Sequence, residues 1–150
     1  MQIATWNVNS LSVRLPQVLD WLKQHQPAAL CLQELKMEDH KFPIEAFAEI
    51  GYQAVFSGQK TYNGVAIIAR HDLDDIQIGI PHLEDAQKRI IAATVQGVRL
   101  ICAYFPNGQS PESEKFQYKL AWLNALLAWL PSELARYPQL ALLGDYNIAP

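Results

Sequence analysis

Apolar and polar positions alternate from Gln2 to Trp6 in the opening "MQIATWNVN", and β-favouring residues dominate, which predicts a first strand. "RLPQVLDWLKQHQP" follows, with Leu15, Val18, Leu19 and Leu22 at helical spacing. Pro16 suits a first helical position and Pro27 a stop. "AALCL", Ala28 to Leu32, is a short continuous apolar run and reads as a strand buried on both faces. Strand, helix and strand at this spacing predict a right-handed crossover and a parallel strand pair. "PIEAFAEIG" reads as a short helix closed by Gly51. "YQAVFSG" and "GVAIIAR", joined by "QKTYN", predict a hairpin. "IQIGI" is a weaker strand running up to Pro81, and residues 82–88 form a polar loop. "IIAATV", Gln96-Gly97 and "VRLICAYF" make the clearest hairpin in the chain. From Ser113 to Leu134, Phe116, Leu120, Leu123, Leu126, Leu127 and Leu130 recur at helical spacing, with Pro131 expected to kink or break the helix near its end. "QLALLG" is the last strand, reached by a second helical crossover. Two crossovers plus hairpins predict an α/β (α+β) chain with helices on one mixed sheet or on two sheets.

Composition narrows the class. The chain has 150 residues, half of them hydrophobic and 18% charged, which fits one domain with a sizeable core and argues against disorder. A net charge of −3 excludes a broadly cationic nucleic-acid or membrane binder. An anionic substrate would need a local site, helped by a metal. Cys31 and Cys102 each sit in an apolar run, so buried free thiols are expected and a disulfide is the alternative. That pattern suits a reducing compartment, and a cytoplasmic location is the expectation. No apolar run reaches the roughly 18 residues of a membrane span, and the N-terminus lacks the basic and apolar regions of a signal peptide.

Polar residues recur where strands end. Asn7 and Asn9 follow strand one, Gln33 and Glu34 follow strand two, Tyr104 and Asn107 close "VRLICAYF", and Asp145 and Asn147 follow the last strand. In parallel pairs these ends share one edge, the usual place for a site in α/β sheets. The groups gathered there suit hard-cation and phosphate chemistry. Mg²⁺ prefers oxygen and keeps several waters, so one or two carboxylates suffice. A carboxylate can orient or deprotonate an attacking water, while amides and a phenol can hold phosphate oxygens. Each residue taken singly has a plainer reading as a turn former, an Asx turn or a half-buried strand end. It is the recurrence at four strand ends that points to a metal or phosphate site.

Five motifs in order, "TWNVNSL", "LCLQELK", "YNGVAIIAR", "AYFPNG" and "LLGDYNIAP", resemble the exonuclease III family of DNA-repair nucleases. These are relatives of AP endonucleases in the DNase I-like endonuclease/exonuclease/phosphatase superfamily. The resemblance runs from Gln2 to Pro150, and "QELK" followed by "GDYN" separates it from inositol phosphatases and sphingomyelinases. It implies a four-layer αββα sandwich and Mg²⁺- or Mn²⁺-dependent hydrolysis of phosphodiesters. The implied partner is double-stranded DNA with abasic sites or blocked 3′ ends, cut by a monomeric enzyme. By motif, Glu34 resembles the metal-binding glutamate and Asn7 the asparagine supporting the metal and Asp145. Tyr104 resembles the tyrosine that contacts the scissile phosphate. Asp145 resembles the aspartate that activates or positions water, and Asn147 its phosphate-contacting partner. The resemblance thus implies Asn7, Glu34, Asp145 and Asn147 as the metal site. Asn9, Lys36, Lys88 and Arg89 are candidates for contacts with DNA, a solvated surface being the alternative for the cations. Tyr146 departs from the family pattern, which often has another large apolar residue there. The family continues past "GDYN" with further strands, another catalytic Asp and a Ser-Asp-His motif. Residues 1–150 are therefore expected to be the N-terminal portion of a single domain, poorly soluble and nearly inactive alone. The competing functions are a phosphodiesterase for a non-DNA phosphate ester and a non-catalytic DNA-binding half-domain.

Overall fold

A computed structural model describes residues 1–108 and 113–148. The elements run β1 (Ile3–Asn7), α1 (Leu11–His25), β2 (Ala29–Gln33), α2 (Ile44–Glu49), β3 (Gln53–Ser57), β4 (Val65–Ala69), β5 (Asp74–Ile78), β6 (Ile90–Val95), β7 (Val98–Tyr104), α3 (Glu114–Arg136) and β8 (Leu140–Asp145). They build two four-stranded sheets, ordered β1-β2-β4-β3 and β5-β6-β7-β8. The two crossovers give parallel pairs, β1 with β2 and β7 with β8, and the remaining pairs are antiparallel.

Side-chain alternation sorts the core into three layers of contact. On β2 and β4, Leu30, Leu32, Ala66 and Ile68 face outward and pack with Val18 and Leu22 of α1 and Phe47 of α2. The opposite faces of the same strands, Ala29, Cys31, Val65, Ile67 and Ala69, meet Ile91, Ala93, Val95, Leu100 and Cys102 from the second sheet. The outer face of that sheet, Ile90, Ala92, Ile101 and Ala103, packs on Trp122, Leu126 and Trp129 of α3. Helix, sheet, sheet, helix is the expected four-layer sandwich. Both cysteines are buried and unpaired, as their apolar settings predicted. Among the described residues, no helix is long and apolar enough to cross a membrane.

Three local readings change. α1 begins at Leu11, so Pro16 lies inside the helix rather than at its start. Tertiary contacts fix that start: the Ser10 and Leu11 amides donate to the Glu34 and Leu35 carbonyls at 2.9 and 3.1 Å, and Leu11 is fully buried. α3 does not break at Pro131 but continues to Arg136. The carbonyl that loses its donor belongs to Leu127, whose residue is exposed, so water can replace the missing bond. Three strands end one residue later than the apolar runs indicated, so Asn7, Gln33 and Asp145 are the last residues of their strands rather than loop residues, while β7 closes at Tyr104, one residue short of Phe105. The Gln96-Gly97 turn has positive φ at both positions, 49° and 80°, as a two-residue type I′ hairpin requires.

One buried ion pair fastens α3 to its sheet. Arg99 Nε donates to Glu133 Oε2 at 2.8 Å, and Nη1 donates to the Asp75 carbonyl at 2.7 Å and to Thr94 Oγ1 at 3.1 Å. The guanidinium lies 4.4 Å from the Tyr137 ring centre, and only 2% of Arg99 is exposed. Removing one partner leaves an uncompensated buried charge. Glu133→Ala is therefore expected to lower unfolding free energy by about 3–5 kcal/mol in urea titration, and pairing it with Arg99→Met to recover most of the loss.

Candidate active site

The inter-sheet face of each strand carries the site. On β1 that face is Ile3, Thr5 and Asn7; on β2 it is Ala29, Cys31 and Gln33; on β7 it is Leu100, Cys102 and Tyr104; on β8 it is Ala141, Leu143 and Asp145. The register aligns Asn7 with Gln33 and Tyr104 with Asp145. The layer is apolar through the middle of the sandwich and becomes polar where the four strands end.

Asn7 joins the two halves. Its Nδ2 donates to Glu34 Oε2 and, at 2.8 Å, to Asp145 Oδ2. Its Oδ1 accepts the Asn9 amide at 3.0 Å, which fixes the amide with nitrogen toward the carboxylates. Asn7 thus spaces and satisfies two anions. Glu34 holds its position through unusual backbone, with φ of +58° for a residue with a bulky side chain. Neighbouring hydrogen bonds enforce that conformation: Ser10 N to the Glu34 carbonyl, Leu35 N to the Gly64 carbonyl and Lys36 N to the Asn63 carbonyl. Gly64, with φ of +98°, lets the β3–β4 loop approach, since a Cβ there would come within 2.8 Å of the Leu35 Cβ.

Asp145 is held from the other side. Its Oδ1 accepts the Asn147 amide at 2.9 Å, and its carbonyl accepts the Phe105 amide at 2.9 Å. Asn147 Nδ2 donates to the Phe105 carbonyl at 2.5 Å. The glycine of "GDYN" has a steric reason. A Cβ on Gly144 would lie 1.8 Å from the Ala103 carbonyl oxygen, so only glycine lets β8 close on β7 at this point. Tyr146 turns back along β8, donating its hydroxyl to the Leu142 carbonyl at 2.6 Å and packing 4.7 Å from Phe105. Ala149 and Pro150, which end that motif, lie outside the described residues.

Every residue singled out from the sequence falls on or beside this edge. Lys36 Nζ donates to Asn9 Oδ1 at 2.6 Å and lies 3.6 Å from Glu34 Oε1. Arg89 is no free loop cation. It donates to Gln87 Oε1 at 2.7 Å and to the Tyr104 carbonyl at 3.1 Å, and its guanidinium stands 4.9 Å from the Tyr104 ring centre. Lys88 contributes backbone: its amide donates to Gln59 Oε1 at 2.7 Å and its carbonyl accepts the Gly64 amide at 2.8 Å. Gln87, Arg89, Tyr104, Asn107, Lys115 and Tyr118 line part of an adjoining cleft of about 380 Å³. Sequence reasoning placed Gln33 at this edge without giving it a role, and passed over Tyr62. Gln33 is buried behind Glu34 and donates to Thr5 Oγ1 at 2.9 Å, tying β2 to β1. Tyr62 is strongly exposed in the loop carrying Lys60 and Asn63. An aromatic beside "NG" was the available signal for it.

The donor set fits a hard divalent cation. Two carboxylates from separate sheets converge on one amide, and oxygen is the only anionic ligand type present. Among the described residues no group of three or more His, Cys, Asp or Glu forms a ready-made cage. Oxygen ligands of this kind suit a hard ion such as Mg²⁺, which prefers oxygen and keeps several waters.

Tyr104 is half-buried, and its phenol is pushed above the ordinary tyrosine value, first by burial and then by the negative charge of Glu34; Arg89 and Asn147 oppose the shift. The phenol is thus a hydrogen-bond donor at neutral pH. Because its folded-state value is raised, its contribution to stability is present below pH ~10 and is lost as pH rises past the unfolded-state value. Tyr104→Phe is expected to remove a late-ionising phenol from the alkaline absorbance titration and to flatten the fall in stability above that pH.

The comparisons agree with this geometry. Residues 4–150 match the Endonuclease/Exonuclease/phosphatase family. The chain is 35% identical to exodeoxyribonuclease III of Haemophilus influenzae, covering 100% of this chain and 58% of that protein. It is 33% identical to the DNA repair nuclease APEX1 of Danio rerio, covering 99% and 49%. Among solved structures it resembles the 3′-5′ exonuclease NExo of Neisseria meningitidis, with a TM-score of 0.97 and 52% identity over 100% of this chain and 59% of that one. NExo from Neisseria has also been solved as a 3′ phosphatase bound to a product DNA hairpin. An AP endonuclease of Archaeoglobus fulgidus superposes with a TM-score of 0.94 at 42% identity, over 100% of this chain and 58% of that one. The chain thus spans about half to three-fifths of the length of these relatives. With its fold, its strand-end carboxylates and these matches in agreement, the chain belongs to the endonuclease/exonuclease/phosphatase family, among relatives of the exonuclease III and AP endonuclease type.

Proposed function

We propose that the protein is a divalent-cation-dependent nuclease of exonuclease III type that hydrolyses phosphodiesters in duplex DNA, at abasic sites or at blocked 3′ ends. Residues 1–150 form the N-terminal portion of its single catalytic domain. The observation that carries this reading is the Asn7 amide held between Glu34 and Asp145, which brings carboxylates from both sheets to one point. The names of the relatives supply the substrate class: exonucleases, a 3′ phosphatase seen with DNA, and AP endonucleases.

In this reading Glu34 and Asp145 offer the oxygens that hold Mg²⁺ or Mn²⁺, while Asn7 sets their spacing and Asn147 orders the Asp145 side. The bound cation supplies Lewis-acid stabilisation of the charge that develops on the phosphoryl oxygens. Asp145, held by Asn7 and by the Asn147 amide, orients the attacking water and takes its proton as the oxygen–phosphorus bond forms and the bond to the leaving oxygen breaks. Tyr104, protonated at neutral pH, donates to a non-bridging phosphate oxygen. Arg89 beside it, with Asn9, Lys36 and Lys88, meets the DNA backbone without reading sequence.

The test uses the full-length protein on three substrates: a duplex with one abasic site, a duplex ending in a 3′ phosphate, and an inositol phosphate. The proposal expects cation-dependent turnover of at least one duplex and none of the inositol ester. The reverse pattern would transfer the site to the phosphodiesterase alternative. Asp145→Asn is expected to cut turnover about 10²–10⁴-fold with DNA binding retained. Activity within a few-fold of the parent refutes that role. Glu34→Gln is expected to raise the Mg²⁺ concentration needed for half-maximal activity, with partial rescue at high Mg²⁺. An unchanged Mg²⁺ dependence removes Glu34 from the ligand set.

A further inference from the structure

A line of polar contacts runs from the start of α3 to Tyr104. Tyr118, half-buried in the second turn of α3, donates its hydroxyl to Asp85 Oδ2 at 2.5 Å. Asp85 Oδ1 accepts the Gln87 amide at 2.9 Å, an Asx turn in the loop between β5 and β6. Gln87 Oε1 accepts Arg89 Nε at 2.7 Å. Arg89 then holds Tyr104 at three points. Its Nη1 donates to the Tyr104 carbonyl at 3.1 Å, its own carbonyl accepts the Tyr104 amide at 2.7 Å, and its guanidinium lies 4.9 Å from the ring centre. The same guanidinium lies 5.7 Å from the Tyr118 ring centre, so tyrosines from β7 and from α3 both stand within cation–π reach.

Packing alone does not hold this loop. A cavity of about 120 Å³ lies against it, with Asp85, Gln87, Arg89 and Trp122 in its lining, so hydrogen bonds must fix the side chains there. The pairing of charges is also selective. Asp85 lies four residues from Arg89, yet the carboxylate engages a phenol and an amide, and the guanidinium engages two neutral carbonyl oxygens. Among the described residues Arg89 takes part in no ion pair. Burial, then the hydrogen bond and charge of Asp85, push the Tyr118 phenol well above the ordinary tyrosine value, against the opposing charge of Arg89. The phenol is therefore a constant donor. It occupies the carboxylate that would otherwise draw Arg89 away from Tyr104.

We propose that Asp85 and Tyr118 are positioning residues of the site: their hydrogen bond fixes Arg89 against Tyr104 and so aims the Tyr104 phenol. The inference rests on the nuclease reading above, in which Tyr104 donates to a phosphate oxygen. Both residues act through Arg89 rather than on the phosphate. α3 is already fastened by its tryptophans and by Glu133 on Arg99, so docking the helix does not require this bond.

The test is steady-state kinetics of the full-length protein on the abasic and 3′-phosphate duplexes. Tyr118→Phe keeps the ring and removes the hydroxyl; it is expected to lower kcat about 10-fold, as loss of orientation does. Asp85→Ala is expected to do the same. Asp85→Asn still accepts the Gln87 amide and can donate to the Tyr118 oxygen, so it is expected to stay within about 3-fold of the parent. Adding Tyr118→Phe to Tyr104→Phe is expected to cost less than about 2-fold more, because the route ends at Tyr104, whereas a purely structural loss would multiply. Parent-like kcat in Tyr118→Phe overturns the proposal and leaves the nuclease reading standing. So does a multiplying loss in the double variant, or Asp85→Asn as slow as Asp85→Ala. A parent that turns over neither duplex, or Tyr104→Phe as active as the parent, fails the reading of the site itself and the proposal with it.

Discussion

The candidate site depends on one amide. Glu34 and Asp145 lie 111 positions apart in sequence and come from different sheets, and like charges brought together resist sharing a site. Asn7 resolves this by donating both Nδ2 hydrogens, one to each carboxylate, while its own oxygen is held by the Asn9 amide. Glu34 can take its place because three backbone hydrogen bonds enforce a left-handed turn, and Asp145 because Gly144 lets β8 reach β7. The two carboxylates are thus held in a fixed arrangement, which in the proposed reading is the preorganised charge that a cation would meet.

The sandwich explains why the site lies at this edge. Alternation places every other residue of the central strands in the gap between sheets, where apolar side chains hold the layers together. At the strand ends the same positions become Asn7, Gln33, Tyr104 and Asp145. Core and site are thus one layer, apolar through the middle of the sandwich and polar where the strands end. Crossovers through α1 and α3 align the ends of β1 with β2 and of β7 with β8, so groups distant in sequence meet without long loops. Arg89, pinned by Gln87 and stacked on Tyr104, extends this order to the rim.

α3 closes the outer side of the second sheet. Its inner face closes the sandwich through Trp122, Leu126 and Trp129 and through the buried pair of Arg99 with Glu133. Between Lys119 and Arg136 its outer face carries no charge.

Much of the fold was legible in the sequence because the signals were local. Alternation and apolar runs located the strands, helical spacing located the helices, and the Gln96-Gly97 turn fixed a hairpin by backbone chirality. The strand-end polar residues were legible as a set, and the motifs carried their family. Local signals failed where partners distant in sequence set the answer. The start of α1 follows from hydrogen bonds to Glu34 and Leu35, not from Pro16. The run of α3 past Pro131 goes with tertiary contacts on both sides of it, Trp129 against the sheet before it and Glu133 on Arg99 after it. Two sheets rather than one, and the choice of Gln33 as a buried tie to Thr5, depend on which faces meet. Residue types by themselves determined the chemistry on offer: carboxylates, amides and a phenol for a hard cation and a phosphate. Only the tertiary structure decided that Asn7 serves as donor between two anions and that Arg89 is a fixed neighbour of Tyr104, because both depend on distances between strands that the chain joins only through folding.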